Sequence, residues 1–336
     1  MRAGRDDWGN YRIWLLLLLL LLLVGSTVLS SCEKGTGRAT DRQKAEREPF
    51  NSLEVPAHPS FVSAEELAHV LASQPAWDAA PQVRDTQQVP DVQQAQDVNQ
   101  AQGETIVSGV VPHHLVAGAL ITELMEAIAG QEPEVIILVG PNHYNEGGRI
   151  ISGYGDWQTP LGLVKTERQI VQALLEKNVV VRDEAVLDKE HAVGNLMPLI
   201  KKFLPDVQVV PLILHHDVSL QEVDELLDNF EPLLAEKSGL LLASVDFSHY
   251  LTGEEAKEKD RFTLQVMRNF DYPTLFLLGN DYLDSPASLS MAFRWAERKG
   301  LKDFTVLKNT NSGELFQDHH IETTSYFTLL FSQKTR

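Results

Sequence analysis

From residue 105 onward, short apolar runs alternate with longer segments in which apolar residues recur at helical spacing. The short runs predict strands, and the periodic segments predict amphipathic helices. The predicted strands cover residues 106–111, 135–139, 207–214, 240–245, 304–307 and 325–331. The predicted helices cover residues 116–129, 167–177, 196–203, 220–234, 254–269 and 286–299. This alternation predicts one α/β domain over residues 105–332, with a mostly parallel sheet flanked by helices.

The first 32 residues follow a different pattern. Basic residues precede an almost pure leucine run over residues 13–24, and small residues follow it, as is typical of a secretory signal peptide. The segment Leu29-Ser30-Ser31-Cys32 resembles a bacterial lipobox, in which Cys32 would carry the lipid. The alternatives are an uncleaved membrane anchor, since the run is close to the length that spans a bilayer, and a buried core helix. The first two interpretations predict a membrane-attached protein at the cell envelope, with its domain outside the cytoplasm.

Residues 33–104 lack the strand and helix patterns of the domain. The stretch 81–102 is rich in glutamine and aspartate and nearly free of large apolar residues. Such a segment cannot bury enough surface to offset its ordering entropy, so residues 33–104 are predicted to form a flexible polar tether. Within it, Ser63 with Glu66 three positions later indicates the start of a short helix. The pattern leaves open whether that helix docks on the domain.

The charge and the cysteine count narrow the range of functions. Lys and Arg number 29 against 47 Asp and Glu, a formal net charge of −18, which argues against a nucleic-acid partner because such a partner favours a basic face. The single cysteine excludes an internal disulfide and a CxxC site. No GxxxxGK phosphate loop occurs, so no nucleotide cofactor is expected. The eleven histidines are therefore the main candidates for metal or acid–base chemistry.

Four predicted strands end next to histidine, and the residues are His113, His114, His143, His215, His216 and His249. Ligand sites of parallel α/β sheets lie beyond the carboxyl ends of the strands, so these histidines are expected at one rim. Two histidines plus one carboxylate form the donor set of non-haem Fe(II) sites. His191, in a loop that enters a helix, is a candidate acid–base. The alternative for any one of them is an ordinary hydrogen-bonded loop residue.

Ordered motifs around these histidines resemble one protein family. The motifs are Pro112-His113, Gly140-Pro141-Asn142-His143, Thr159-Pro160-Leu161-Gly162, Glu190-His191, Ser244-Val245-Asp246-Phe247-Ser248-His249-Tyr250 and Asn311-Ser312-Gly313. In this order and spacing they resemble the Memo family, called AmmeMemoRadiSam system protein B in bacteria. The resemblance covers about residues 105–331. It implies a fold similar to that of the class III extradiol ring-cleavage dioxygenases, which use non-haem Fe(II).

The resemblance also implies roles for particular residues. His113 and His143 look like the first two metal ligands. Ser248 occupies the position of a third ligand, which is cysteine in animal members and a carboxylate in the dioxygenases. His191 resembles the pocket histidine that serves as acid–base in the dioxygenases, and Glu190 lies beside it.

Ser248 departs from the family's pattern, because a neutral hydroxyl supplies neither the charge nor the softness of a thiolate. Asp246, His249 or water would then have to complete the ligand set of the metal. The resemblance implies a metal-binding protein with a redox role, with Fe(II) as the expected ion and copper as the alternative. Two other functions stay open: a module that binds a peptide or small ligand without turnover, and an extradiol-type dioxygenase. The bacterial family name further implies AMMECR-type and radical SAM proteins as partners.

Overall fold

A computed structural model describes residues 55–72, 104–318 and 320–334. The predicted signal peptide, the predicted lipidation site Cys32 and most of the predicted tether lie outside the described residues. In chain order the strands are β1 (His58–Pro59), β2 (Glu104–Val111), β3 (Val135–Pro141), β4 (Ile150–Ser152), β5 (Trp157–Thr159), β6 (Gly162–Thr166), β7 (Val181–Arg182), β8 (Gln208–Leu214), β9 (Gly239–Ser244), β10 (Thr305–Asn311) and β11 (Ser325–Lys334).

Helices lie between most of these strands. They are α1 (Ala64–Ala72), α2 (Gly118–Ala129), α3 (Arg168–Glu176), α4 (Glu184–Leu187), α5 (His191–Gly194), α6 (Met197–Phe203), α7 (Leu220–Leu233), α8 (Gly253–Arg268), α9 (Tyr272–Leu275), α10 (Pro286–Arg298) and α11 (Ser312–Phe316). The two longest, α7 and α8, begin at capping boxes, in which a Ser or Thr and a Glu three residues later satisfy each other's backbone N–H groups. Among the described residues, no helix combines the length and apolar character needed to cross a membrane.

The strands form one sheet in the order β1-β5-β6-β8-β3-β9-β2-β11-β10, and β4 pairs with β8 and β7 at its side. The central strands β6, β8, β3, β9 and β2 are all parallel, while β11 and β10 extend the sheet in antiparallel fashion. Every residue of β3 is buried, as expected for a parallel strand covered by helices on both faces. The predicted fold, an α/β domain with a mostly parallel sheet flanked by helices, is confirmed. Its consequence is that the carboxyl ends of β2, β3, β8 and β9 meet at one edge.

Residues 55–72, which we call the strap, are ordered within the stretch predicted to be a tether. In the strap, β1 pairs in parallel with β5 at the edge of the sheet. The predicted helix start is present, since Ser63 and Glu66 each accept the backbone N–H of the other. The predicted tether, residues 33–104, therefore contains a docked segment.

The strap docks because it carries the apolar surface that the glutamine-rich stretch lacks. Val62, Leu67 and Val70 are buried in the same core cluster as the helices of the domain. Val70 packs directly on the start of α2, where a β-carbon on Gly118 would lie 2.8 Å from a methyl group of Val70. A glycine at this position is what permits the strap to approach α2 so closely.

Candidate metal centre

Three histidines from separate parts of the chain meet beyond the carboxyl ends of the central strands. His113 follows β2, His143 follows β3, and His191 is the first residue of α5. One nitrogen of each ring lies within 4.8 Å of the others. The rings of His143 and His191 stack with centroids 4.2 Å apart, and His113 meets both edge-on at 5.1 and 5.4 Å. The predicted convergence of strand-end histidines is thus confirmed for His113 and His143, and His191 joins them.

Glu190 fixes the orientation of His143. Its buried carboxylate accepts a hydrogen bond from Nδ1 of His143 at 2.7 Å and one from the backbone N–H of His143 at 2.8 Å. It also caps α5 by accepting the N–H of Ala192 at 2.9 Å. Although burial alone would raise the pKa of Glu190, these hydrogen bonds lower it. The sequence places Glu190 beside His191 as a catalytic partner. In the structure Nδ1 of His191 lies 3.5 Å from Oε1 of Glu190, while the side-chain hydrogen bond of Glu190 goes to His143, whose Nε2 is left to face the cluster.

Ser244, the last residue of β9, fixes His113. The Ser244 hydroxyl donates its one proton to the carbonyl of Ala192 at 2.7 Å, so it must accept from Nδ1 of His113 at 3.0 Å. The proton therefore sits on Nδ1, and the lone pair of Nε2 is directed into the cluster. Burial, together with repulsion from His143 and His191, lowers the pKa of His113 well below its usual value. The neutral imidazole that results is the form that binds a metal.

Two buried aspartates face the histidines. Asp246 accepts the backbone N–H of His113 at 3.1 Å, and its Oδ2 lies 3.6 Å from Nε2 of His113. Oδ2 of Asp284 lies 3.4 Å from Nε2 of His113 and 3.9 Å from Nε2 of His143. The other oxygen of Asp284 is buried without a hydrogen-bond partner among the described residues. Sequence reasoning missed Asp284, because it lies in the loop before α10 rather than at a strand end, and no spacing ties it to the histidines.

The electrostatics of the two aspartates favour a bound cation. Burial raises the pKa of Asp246 to about 7. Burial and the negative charges of Asp246 and Glu190 raise the pKa of Asp284 well above its usual range. Two buried carboxylates beside neutral imidazoles are costly to ionise. A divalent cation among them would compensate their charge.

Ser248 does not face this cluster, which corrects its assignment to the third ligand position. Its hydroxyl donates to Oδ1 of Asp260 at 2.8 Å. Asp260 is a buried acid that also accepts hydrogen bonds from Ser325 at 2.6 Å and Asn309 at 2.8 Å. The hydroxyl of Ser248 is therefore committed to a structural network, and Asp284 supplies the carboxylate next to His113 instead.

Other candidate histidines lie outside the three-histidine group. Nδ1 of His249 is 3.2 Å from the carbonyl of Asn280, to which it can only donate, and burial lowers the pKa of His249 to about 4. Nδ1 of His215 lies 2.5 Å from a carboxylate oxygen of Asp217. His249, proposed from the sequence as a further ligand, is not among the three histidines whose nitrogens lie within 4.8 Å of one another.

The donor set fits a divalent transition-metal ion. In a site with bonds of about 2.0–2.1 Å, neighbouring donor atoms stand roughly 2.9 Å apart in octahedral geometry and roughly 3.4 Å apart in tetrahedral geometry. Oδ2 of Asp284 stands at 3.4 and 3.9 Å from the Nε2 atoms of His113 and His143, and Oδ1 has no hydrogen-bond partner within the described part of the chain. His191 is placed to act as a third imidazole ligand or as an acid–base.

Comparison with known proteins agrees with the motifs. A family described as Memo-like protein matches residues 84–328. A MEMO1 family protein of Pyrobaculum arsenaticum is 30% identical over 239 residues, which cover 68% of this chain and 84% of the relative. A MEMO1 family protein of Thermotoga maritima is 26% identical over 204 residues, covering 58% and 70%. The solved structure of an uncharacterized protein from Escherichia coli K12 aligns with a TM-score of 0.48 and 13% identity, over 68% of this chain and 100% of the other.

Proposed function

The chain belongs to the Memo-like family, and from that premise we propose that it is a metal-dependent redox protein with non-haem Fe(II) as its ion. The observation that carries the proposal is the approach of Asp284 to both His113 and His143, because it completes a donor set of two histidines and one carboxylate. Fe(II) held there would offer open coordination positions to dioxygen or to a substrate oxygen. Copper is the alternative ion, since imidazole suits it as well.

The surrounding residues have separate roles in this proposal. Glu190 and Ser244 hold the two ligand imidazoles with Nε2 inward. Asp246 holds the loop after β2 by accepting the backbone N–H of His113. Burial and repulsion from His143 lower the pKa of His191. Its imidazole is therefore neutral near pH 7 and can accept a proton from a bound substrate.

Metal content tests the proposal directly. We expect the full chain, purified anaerobically without a histidine tag, to carry near one iron per chain. The double substitution His113→Ala, His143→Ala should abolish iron uptake and leave the circular dichroism spectrum unchanged. The matched control is His215→Ala, His216→Ala, which removes two histidines from the same edge of the sheet outside the cluster. Retention of iron by the first variant, or no uptake of iron or copper by the native chain, would contradict the proposal.

A second candidate is an extradiol-type dioxygenase, and Asp284 favours it by supplying the anionic ligand that Ser248 cannot. A catechol-type substrate and one dioxygen would give a ring-opened product that retains both oxygen atoms, so no external reductant is consumed. His191 would take the proton of a catechol hydroxyl. Oxygen consumption by the iron-loaded protein with catechols tests this, and His191→Asn should lower turnover while keeping iron. Iron-loaded protein that consumes no oxygen with any catechol would instead favour the redox role or the non-catalytic binding module.

We also propose that the domain is held at the cell envelope by its N-terminal segment. The support is the basic, apolar and small-residue pattern of residues 1–32 and the position of Cys32 directly after Leu29-Ser30-Ser31. AMMECR-type and radical SAM partners remain a proposal from the family name alone. Co-purification from cells that contain all three proteins tests them, and recovery of the chain without either partner would count against that association.

A further inference from the structure

One short helix connects all three histidines of the cluster. The helix α5 begins at His191, and the preceding residue, Glu190, binds His143. Directly after the helix, Nδ2 of Asn195 donates to the backbone carbonyl of His113 at 3.0 Å. The position of α5 therefore sets the positions of the three imidazoles relative to one another.

The strap covers the far end of this helix. A β-carbon on Gly194, the last residue of α5, would lie 2.5 Å from Cδ2 and 2.6 Å from Cε2 of Phe61. The Phe61 ring thus lies directly against the backbone of Gly194. The strap is also tied to the preceding turns, because the imidazole of His58 lies 2.6 Å from Asp188 and 3.0 Å from Glu184.

An isolated four-residue helix has no stability of its own, since a single turn does not repay the cost of nucleation. Contacts from the rest of the molecule must therefore hold α5 in place. The position that a β-carbon of Gly194 would occupy lies 3.4 Å from Trp157. It lies closer still to Phe61, at 2.5 Å. Phe61 is 40% exposed, so it is not a core residue, and packing in a core does not explain why it lies here.

We propose that Phe61 is a positioning residue for the metal centre. Through Gly194 it holds α5, and with the helix it holds His191, the Glu190 bond to His143 and the Asn195 bond to His113. The inference rests on the proposed function only where metal binding is the readout. Hydrogen exchange of the backbone gives a second readout that needs no metal.

The first test compares Phe61→Ala with the native full chain. We expect faster hydrogen exchange over residues 190–197 and an iron affinity about tenfold weaker, the lower end of what loss of an outer-shell contact costs. Phe61→Leu should restore most of both, because it keeps an apolar side chain against Gly194. Phe316→Ala is the matched control: Phe316 is 59% exposed and is the last residue of α11.

The second test is a double-mutant cycle with Gly194→Ala. Alone, this substitution should displace the strap, because its new methyl group collides with Phe61 and otherwise meets only an ordinary contact with Trp157. Combined with Phe61→Ala, the methyl group should occupy the space that the ring leaves, so the double variant should exchange more slowly over residues 190–197 than either single variant. Such non-additivity is the signature of direct contact.

Three results would overturn the role of Phe61, and a fourth would contradict the proposed function. Unchanged exchange over residues 190–197 in Phe61→Ala, or effects of the two substitutions that simply add, would overturn the role of Phe61. Faster exchange with unchanged iron affinity would also overturn it, because the helix would then move without consequence for the metal. Absence of iron from the native chain would instead contradict the proposed function, and the exchange data would still decide whether Phe61 holds α5.

Discussion

At the scale of single residues, the centre is a compromise between binding and stability. Asp284 and Asp246 are both buried and lie close enough for the backbone N–H of Asp246 to donate to Oδ2 of Asp284 at 3.2 Å. Neutral His113 offers Asp284 no proton, because its Nδ1–H is given to Ser244. The arrangement is therefore unfavourable for the metal-free fold and favourable for a cation.

Asp284→Asn should reverse that compromise. Oδ2 of Asp284 both accepts the N–H of Asp246 and faces Nε2 of His113, so an amide whose oxygen takes this position keeps the bond to Asp246 and offers a metal no negative charge. We expect the free energy of unfolding of the metal-free protein to rise by about 1 kcal/mol, because the amide replaces a buried carboxyl group that is costly to ionise, while iron uptake is lost. Denaturant titration and metal analysis measure the two effects. Asp281→Asn, in the same loop but exposed, is the control, and native iron affinity in Asp284→Asn would contradict the ligand assignment.

Glu190→Gln tests the support of His143. Both oxygens of Glu190 accept N–H groups, so an amide must turn an NH₂ group toward one of these donors. We expect metal affinity to fall by about 10–100-fold, as for other outer-shell partners of ligand histidines. Isothermal titration with Fe(II) under anaerobic conditions measures this. Glu146→Gln, an exposed glutamate on the loop after His143, should leave the affinity unchanged; equal losses in both variants would argue against a specific role.

At the scale of secondary-structure elements, the length of a helix or strand determined whether it could be predicted from the sequence. The helix predicted over residues 286–299 is observed as Pro286–Arg298, because a capping Ser285 and a proline mark its start and its apolar face continues for several turns. The strands β4 and β7 and the helices α4 and α5 escaped prediction. Elements of two to five residues contain no periodicity. Individual contacts define them instead, such as the cap that Glu190 places on α5 and its bond to His143.

The strap should respond to pH through His58. Burial alone would lower the pKa of His58, but hydrogen bonds and ion pairs with Glu184 and Asp188 outweigh it and raise the pKa above 6.5. Arg182 also binds Glu184, so that carboxylate, with a pKa lowered to about 2, stays ionised. A raised pKa means that His58 stabilises the docked strap fully below pH 6.5 and loses this effect as pH rises through the raised value.

We therefore expect hydrogen exchange at the amides of His58 and Ser60, corrected for the intrinsic rate, to speed up several-fold between pH 6 and pH 9. These amides donate to the backbone carbonyls of Asp156 and Gln158. His58→Gln should remove the pH dependence, whereas His69→Gln, at an exposed position in the same strap, should keep it. A native strap whose corrected exchange does not vary with pH would contradict the role of His58.

At the scale of the whole molecule, the parallel sheet explains why part of the site was predictable. Because β2 and β3 run in the same direction, His113 and His143 had to reach the same edge. Asp284 could not be found in this way, since a loop beyond α9 brings it to that edge. The docking of the strap was not predicted for a related reason. Its few apolar side chains pack against Gly118 and Gly194, and no local pattern connects the strap with residues so much later in the chain.

The attachment of the molecule to a membrane is a prediction for Cys32. If the lipobox operates, mass spectrometry of the native protein should find Cys32 lipidated and at the mature N-terminus. Cys32→Ala should then lose the lipid and prevent the normal processing. An unmodified, internal Cys32 in a membrane-bound protein would favour the uncleaved anchor instead.

The strap can dock only after much of the domain has been synthesised. Its residues leave the ribosome before the domain does, yet the Asp188 partner of His58 lies 130 positions later in the chain. A contact between residues so far apart in the chain forms late in folding, because the entropy of closing a long loop is lost before the contact contributes any stabilisation. The nascent N-terminal region thus stays undocked while α4 and α5 are still being made. The proposed metal centre can therefore take its final form only after the chain segment that the strap contacts has been made.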